Sequence, residues 1–282
     1  MTYKAIIMDI DGTLVTKDQK IPPETLKTLK YVQSKGIRLV LASGRPINGM
    51  IHLSKELEMD KNHGLCVCFN GGKVVDVQTN EILFNQTMSL DTCKSILHHM
   101  KNFDVRPLIV KGEYSLVKDV YDSDVHVGGE AINIVRHESH DNNYKLMEVD
   151  DLEEAADCEL NKILVIGEPE YLKEHYKEMY APFVDICNAM FTAPFYYEYT
   201  DKGIDKVHAL EESLVKLGIT ADECISFGDA QNDNTMIKWA KLGIAMGNAV
   251  QETKDVADEV TEAVWDEGIA VSLKKHLKDL FE

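Results

Sequence analysis

Short apolar runs and amphipathic stretches alternate along the first third of the chain. Lys4–Ile10 (KAIIMDI) reads as a buried strand that ends in carboxylates. Pro23–Lys35 places Leu26, Leu29 and Val32 at helical spacing and stops at Gly36. Ile37–Ala42 (IRLVLA) is a second continuous apolar run, closed by Ser43-Gly44-Arg45-Pro46. A helix is expected over about Ile47–Leu57 and a third strand over Leu65–Phe69. Strand and helix in strict alternation predict parallel βαβ units. Right-handed crossovers then bring the three strand C-termini to one edge, where open α/β sheets bind their ligands.

The C-terminal third repeats this pattern. Helices are expected at Lys206–Leu217, Asn234–Ala240, Gln251–Ala257 and Gly268–Leu280, with strands at Cys224–Phe227 and Leu242–Met246. The middle differs. It contains a hairpin pattern, Leu108–Val117 around Lys111-Gly112-Glu113, and the acidic stretch Asp150–Asp157. The predicted class is therefore α/β, a Rossmann-like doubly wound parallel-sheet core formed by residues 1–83 and 194–282. A second α/β domain, residues 84–193, is inserted into it. The aromatic run Phe191–Tyr199 is expected to carry the chain back into the core.

Composition narrows the function classes. At 282 residues, 44% hydrophobic and 28% charged, the chain can bury a sizeable core and is not disordered. Its net charge of -18 repels phosphate backbones, which argues against a nucleic-acid partner. No run of 18 apolar residues occurs, so no membrane partner is expected. The N-terminus lacks the pattern of a secretion signal. Six cysteines then predict reduced thiols in a cytoplasmic protein, with Cys66 and Cys68 as core residues of the third strand. The His98-His99 pair and His137-Glu138-Ser139-His140 have no further ligand set nearby and are expected on the surface.

The chemistry concentrates at the strand ends. Asp9-Ile10-Asp11-Gly12-Thr13-Leu14 follows the first strand. Residues i and i+2 of a strand share a face, so Asp9 and Asp11 are expected to project together. One carboxylate can attack an electrophile while its neighbour delivers and withdraws a proton. The second strand ends in Ser43-Gly44-Arg45, a hydroxyl and free N–H groups suited to phosphate oxygens, although Ser is also an ordinary helix cap. A later strand ends in Gly228-Asp229-Ala230-Gln231-Asn232-Asp233. Oxygen-only ligands without His or Cys suit Mg²⁺.

Asp9–Leu14, Ser43, a lysine before a helix and Gly228–Asp233 resemble the four ordered motifs of the haloacid dehalogenase superfamily. More narrowly, the chain is similar to its Cof-type phosphatases, which carry a large α/β cap inserted after the third core strand. Phe69-Asn70-Gly71-Gly72, Ala245-Met246-Gly247-Asn248-Ala249 and Glu267-Gly268-Ile269-Ala270 extend the likeness. The resemblance implies Asp9 as nucleophile, forming an aspartyl-phosphate, and Asp11 as general acid and base. It implies Mg²⁺ held by Asp9, the Asp11 carbonyl and Asp229, with Asp233 supporting the metal's waters. Ser43, Gly44, the backbone at Ile10, Asn232 and the motif lysine, Lys206, would bind phosphate. Two lysines compete for the motif position. Lys206 opens a helix, with Asp205 as its cap, and is preferred to Lys202. Arg45 is open to two readings, a substrate contact or a structural ion pair.

The activity so implied is Mg²⁺-dependent hydrolysis of small phosphomonoesters, such as sugar phosphates and related metabolites, by a monomer or homodimer. A phosphomutase would share the aspartyl-phosphate, and a regulatory module could keep the fold without the chemistry.

Overall fold

The computed structural model describes residues 3–282, which form two compact units. One contains the chain up to Phe84 together with Asp205–Glu282, and the other is Asn85–Ile204. In chain order the first unit opens with strands β1 (Ala5–Met8), β2 (Arg38–Ala42), β3 (Leu65–Cys68), β4 (Lys73–Asp76) and β5 (Ile82–Asn85). The second contributes β6 (Arg106–Lys111), β7 (Tyr114–Val117), β8 (Asp124–Val127), β9 (Glu130–Asn133), β10 (Lys145–Glu148), β11 (Lys162–Ile166), β12 (Cys187–Ala193) and β13 (Tyr196–Asp201). The chain then returns to the first unit with β14 (Cys224–Gly228), β15 (Leu242–Ala245) and β16 (Glu259–Val260).

The first unit is built on one eight-stranded sheet of order β16-β15-β14-β1-β2-β3-β4-β5. From β16 to β3 every pair is parallel, and β4 joins antiparallel. Strand β1 is buried at all four positions, as a strand covered on both faces must be. Ile6 and Met8 feed the cluster that holds Leu29, Val32 and Leu273. Ala5 and Ile7 feed the opposite one, with Leu210, Leu214 and Met236. The helices Pro23–Ser34 and Gly268–His276 thus pack on one face, and Lys206–Leu214 and Asn234–Trp239 on the other.

Strand order runs outward from β1 in one direction and from β14 in the other. The crevice between their C-terminal ends is the topological switch point, the place where such sheets bind ligands.

The second unit is a six-stranded sheet, β10-β7-β6-β11-β13-β12, antiparallel except for β10 on β7, with β8 and β9 as a separate ribbon. It has its own cores on the two faces of the sheet. Its C-terminal limit differs from the expected residue 193. The aromatic run does not lead into the parallel sheet. Tyr196–Asp201 pairs antiparallel with both β11 and β12, and Tyr197 and Tyr199 are buried in this unit's own core.

Three expected helices are shorter or broken, one of them Lys206–Leu217, whose last turn, Val215–Leu217, is 3₁₀. Ile47–Leu57 becomes a 3₁₀ turn, Ile47–Gly49, followed by the helix Ile51–Glu56, since Asn48-Gly49 is poor helix-forming sequence. The terminal helix breaks at Leu277 into Gly268–His276 and Lys278–Phe281. Cys66 and Cys68 are buried core residues.

Candidate active site at the switch point

Asp9 follows β1 and Asp229 follows β14, so the register of these two strands sets the first two carboxylates side by side. Met8 pairs with Phe227, and the Asp9 N–H donates to the Phe227 carbonyl at 3.1 Å. Asp233 lies four residues beyond Asp229, at the entry to the helix Asn234–Trp239. Carboxylate oxygens of Asp9, Asp229 and Asp233 lie within 4.8 Å of one another.

Lys206 enters from the face of the sheet that also carries the helix Asn234–Trp239. Asp205 caps its helix by accepting from the Val207 N–H at 2.7 Å, which sets the lysine on the first turn. Its side chain is 1% exposed, and all three ammonium donors are used. They reach Asp9 Oδ1 at 2.8 Å, Asp233 Oδ1 at 2.7 Å and the carbonyl of Ala42, the last residue of β2, at 2.8 Å. Lys202 is exposed in the other unit and donates to the Asp185 carbonyl. Of the two competing lysines, only Lys206 meets the carboxylates.

The charges in this cluster do not balance. Three carboxylates face one ammonium. Burial, then the charge of Asp233, pushes the Asp9 carboxyl up to about 8 against the opposing pull of Lys206. Burial lifts Asp229 to about 6, with the Thr13 hydroxyl opposing. Burial alone would lower the Lys206 ammonium, yet Asp9 and Asp233 carry it above its ordinary value. Both Asp233 oxygens are committed, Oδ1 to Lys206 and Oδ2 to the N–H groups of Asp229 and Ala230 at 3.0 and 3.2 Å. Asp229 Oδ1 accepts from Thr13 Oγ at 3.0 Å. Asp9 Oδ2 and Asp229 Oδ2 are the oxygens left to hold a cation.

Asp11 departs from the expected pairing on one strand face. β1 ends at Met8, and the chain turns where Leu14 and Val15 donate to the Ile10 carbonyl, so the two-residue strand period no longer applies. Ile10 is fully buried. Both Asp11 oxygens instead accept from Arg45, at 2.9 Å from Nε and 2.5 Å from Nη2, and Oδ1 also accepts from Gln19 Nε2 at 3.0 Å. The Asp11 side chain is half exposed. Arg45 is thus an ion-pair partner of Asp11 in this structure.

Ser43 is buried at the end of β2, where its N–H donates to the Val67 carbonyl. Gly44 lies beside Asn70, and Asn232 is exposed at the same edge. Asn248 was not singled out as a site residue, yet its amide donates to the Gly12 carbonyl at 2.8 Å and accepts from the Val264 N–H, clamping the Asp-containing turn. Its only sequence signal is its place in Ala245–Ala249. His98 and His137 are exposed and pair with Glu153 and Asp141.

Known proteins resemble this chain over almost its whole length. Residues 6–273 match the family of haloacid dehalogenase-like hydrolases. The chain belongs to that family. Within it the chain is of the Cof type, and it is a phosphoric monoester hydrolase. A phosphatase-family protein of Streptococcus pyogenes serotype M6 is 30% identical over 275 residues, covering 98% of both chains. The 5-amino-6-(5-phospho-D-ribitylamino)uracil phosphatase YcsE of Bacillus subtilis is 28% identical, covering 96% of this chain and 94% of its own. The crystal structure of a haloacid dehalogenase-like hydrolase from Bacteroides thetaiotaomicron superposes with a TM-score of 0.89 at 29% identity, covering 97% of this chain and 99% of that one.

Proposed function

We propose that this phosphatase is Mg²⁺-dependent and hydrolyses small phosphorylated metabolites, sugar phosphates or similar compounds, through an aspartyl-phosphate on Asp9. The observation that carries this reading is the surplus of carboxylate at the switch point. Asp9 and Asp233 share one ammonium and Asp229 adds a third carboxylate beside them, a deficit of positive charge that a divalent cation would fill. The donors are oxygens alone, which suits Mg²⁺. Asp9, Asp229 and the Asp11 carbonyl would hold the ion, and Asp233 would orient its waters. When bound, it would neutralise charge on the phosphoryl oxygens.

In the chain's own chemistry, the Asp9 carboxylate attacks phosphorus and the bond to the ester oxygen breaks. Asp11, released from Arg45, protonates the leaving alkoxide. A water then attacks phosphorus and gives its proton to Asp11. The bond to Asp9 breaks and inorganic phosphate leaves. Lys206 holds Asp9 in place and stays charged throughout. Ser43, Gly44, the Ile10 backbone and Asn232 grip the phosphoryl oxygens, so that positioning and charge neutralisation lower the barrier.

Similarity to a structure described as a sugar phosphatase, at 25% identity and a TM-score of 0.78, supports the substrate class. The inserted unit Asn85–Ile204 would serve as the cap that selects the leaving group. Among the described residues no helix is long and apolar enough to cross a membrane, and the six cysteines are free. The free thiols and the net charge of -18 support our reading of a cytoplasmic monomer or homodimer without nucleic-acid or membrane partners.

The test is phosphate release from a panel of metabolite phosphates, in Mg²⁺ or EDTA, by wild type and Asp9→Asn. Metal-dependent release that the variant loses supports the assignment. No release from any compound by folded, Mg²⁺-loaded wild type refutes it and brings a mutase forward.

A further inference from the structure

The turn Phe69-Asn70-Gly71-Gly72 joins β3 to β4 and has no part in the chemistry described above. Its backbone is unusual. Phe69 and Asn70 both have φ of 54°, a left-handed conformation that Asn tolerates and a bulky residue such as Phe rarely adopts. The turn is tied to the site at several points. The Phe69 N–H donates to the Arg45 carbonyl at 3.1 Å and the Asn70 N–H to the Ser43 carbonyl at 3.0 Å, so both bonds fall on the Ser43–Arg45 loop. A Cβ on Gly71 would lie 2.2 Å from the Asp205 carbonyl, so the turn packs directly against the start of the Lys206 helix.

The Asn70 side chain continues this pattern. Its Oδ1 accepts from Asn232 Nδ2 at 3.4 Å. Its Nδ2 stands 3.0 Å from where a Gly44 Cβ would be, so it covers the Ser43-Gly44 backbone. Asn232 is exposed, and an exposed amide on two rotatable bonds samples many orientations unless something holds it. Among the described residues the Asn232 amide makes this one hydrogen bond, so its orientation is left to Asn70.

We propose that Asn70 is a positioning residue for phosphoryl transfer: held in a left-handed turn, its amide oxygen fixes the Asn232 amide in the orientation that meets the phosphoryl group. This rests on the site assignment above, in which Asn232 binds phosphate. A positioning partner of this kind is worth about ten- to a hundredfold in comparable sites.

The experiment compares wild type, Asn70→Gly, Asn232→Ala and the double variant, with Asp9→Asn alongside. Readouts are Mg²⁺-dependent hydrolysis of p-nitrophenyl phosphate, competitive inhibition by inorganic phosphate, and thermal midpoint. Gly keeps the left-handed backbone and removes only the amide, so the midpoint should hold. In Asn70→Gly, kcat/KM should fall and Ki for phosphate rise by about tenfold each. Once Asn232 is Ala, the same change should have an effect of less than about threefold, because the residue it orients is gone. Retention of kcat/KM and Ki within twofold in Asn70→Gly overturns the proposal, as do effects that multiply in the double variant. If wild type itself releases no phosphate while folded and metal-loaded, the site assignment falls and this inference falls with it.

Discussion

Gly12 sits where the acidic turn and the cation ligands meet, and replacing it with Ala separates backbone strain from site geometry. Its φ is +83°, and a Cβ there would lie 2.5 Å from Asp229 Oδ2. The strain of a left-handed alanine is about 1–2 kcal/mol. The clash adds something different. Ordinary contact needs roughly 1 Å more, while Asp229 Oδ1 stays tied to Thr13 at 3.0 Å. The carboxylate must therefore pivot about Oδ1 and swing Oδ2 away from its place beside Asp9. Mg²⁺ demands near-octahedral geometry with oxygens at about 2.0–2.1 Å, so a displacement of that size should weaken binding about ten- to a hundredfold. Gly36→Ala is the control. Its φ is +91°, and nothing lies within 4 Å of its Cβ. Titration calorimetry with Mg²⁺, and thermal unfolding in EDTA and in Mg²⁺, read the two effects apart. Both variants should lose similar stability in EDTA, and only Gly12→Ala should lose the Mg²⁺-induced rise in midpoint. If Gly12→Ala binds Mg²⁺ within twofold of wild type, the assignment of Asp229 Oδ2 is wrong.

Lys206→Met leaves Asp9 and Asp233 buried without their shared cation. It should cost about 3–5 kcal/mol in urea unfolding and abolish turnover; a loss below about 1 kcal/mol would show that the ammonium is not the centre of the cluster. Glu267 supplies the cap that Pro22 cannot, accepting from the Glu24 and Thr25 N–H groups at 3.0 and 2.7 Å. Glu267→Ala should therefore destabilise by about 1–2 kcal/mol. Because Glu267 also has a φ of 63°, Glu267→Gly should recover part of that loss, and a glycine variant less stable than the alanine one would contradict this account. The site also sets a pH dependence. Asp9 and Asp229 hold their protons more tightly folded than unfolded, so the stability they add is complete below about pH 4. It is lost as pH climbs through about 6 and about 8. Mg²⁺ replaces the protons, so the gap in midpoint between Mg²⁺ and EDTA should widen from pH 6 to pH 8, and a constant gap would refute the coupling.

The parallel sheet was legible because strands buried on both faces read as unbroken apolar runs, and β1, β2, β3, β14 and β15 fall within a residue or two of their expected limits. The second unit was harder to delimit. Its edge strand β12 is largely exposed at Met190–Thr192, so its aromatics gave no period that could distinguish a hairpin from a return strand. At the site, Asp9, Asp229, Asp233 and Lys206 could be found because each sits at a strand end or helix start. The orientation of Asp11 could not be found. It depends on where β1 stops and on Arg45, 34 residues away, a pairing that no local pattern encodes. Glu267-Gly268 was visible as a motif, but its reason, capping a helix 243 residues earlier in the chain, exists only in three dimensions.

The pairing of β1 has a consequence for synthesis. Ala5 lies beside Arg38 on one edge and Cys224 on the other. As the chain emerges, β1 finds its first neighbour early, but its second edge, the apolar AIIM, stays open until residues 224–228 have been made. Asn85–Ile204, with cores of its own, is complete by then. Domains fold as units during translation, and unpaired apolar edges drive association. From the completion of Ile204 until Gly228 has been made, the nascent protein therefore carries a folded insertion on an unfinished sheet. Fragments ending before Gly228 lack the strand that closes β1, and with it Asp229 and Asp233, so the same missing segment that would make them prone to aggregate also leaves them without a complete acidic centre.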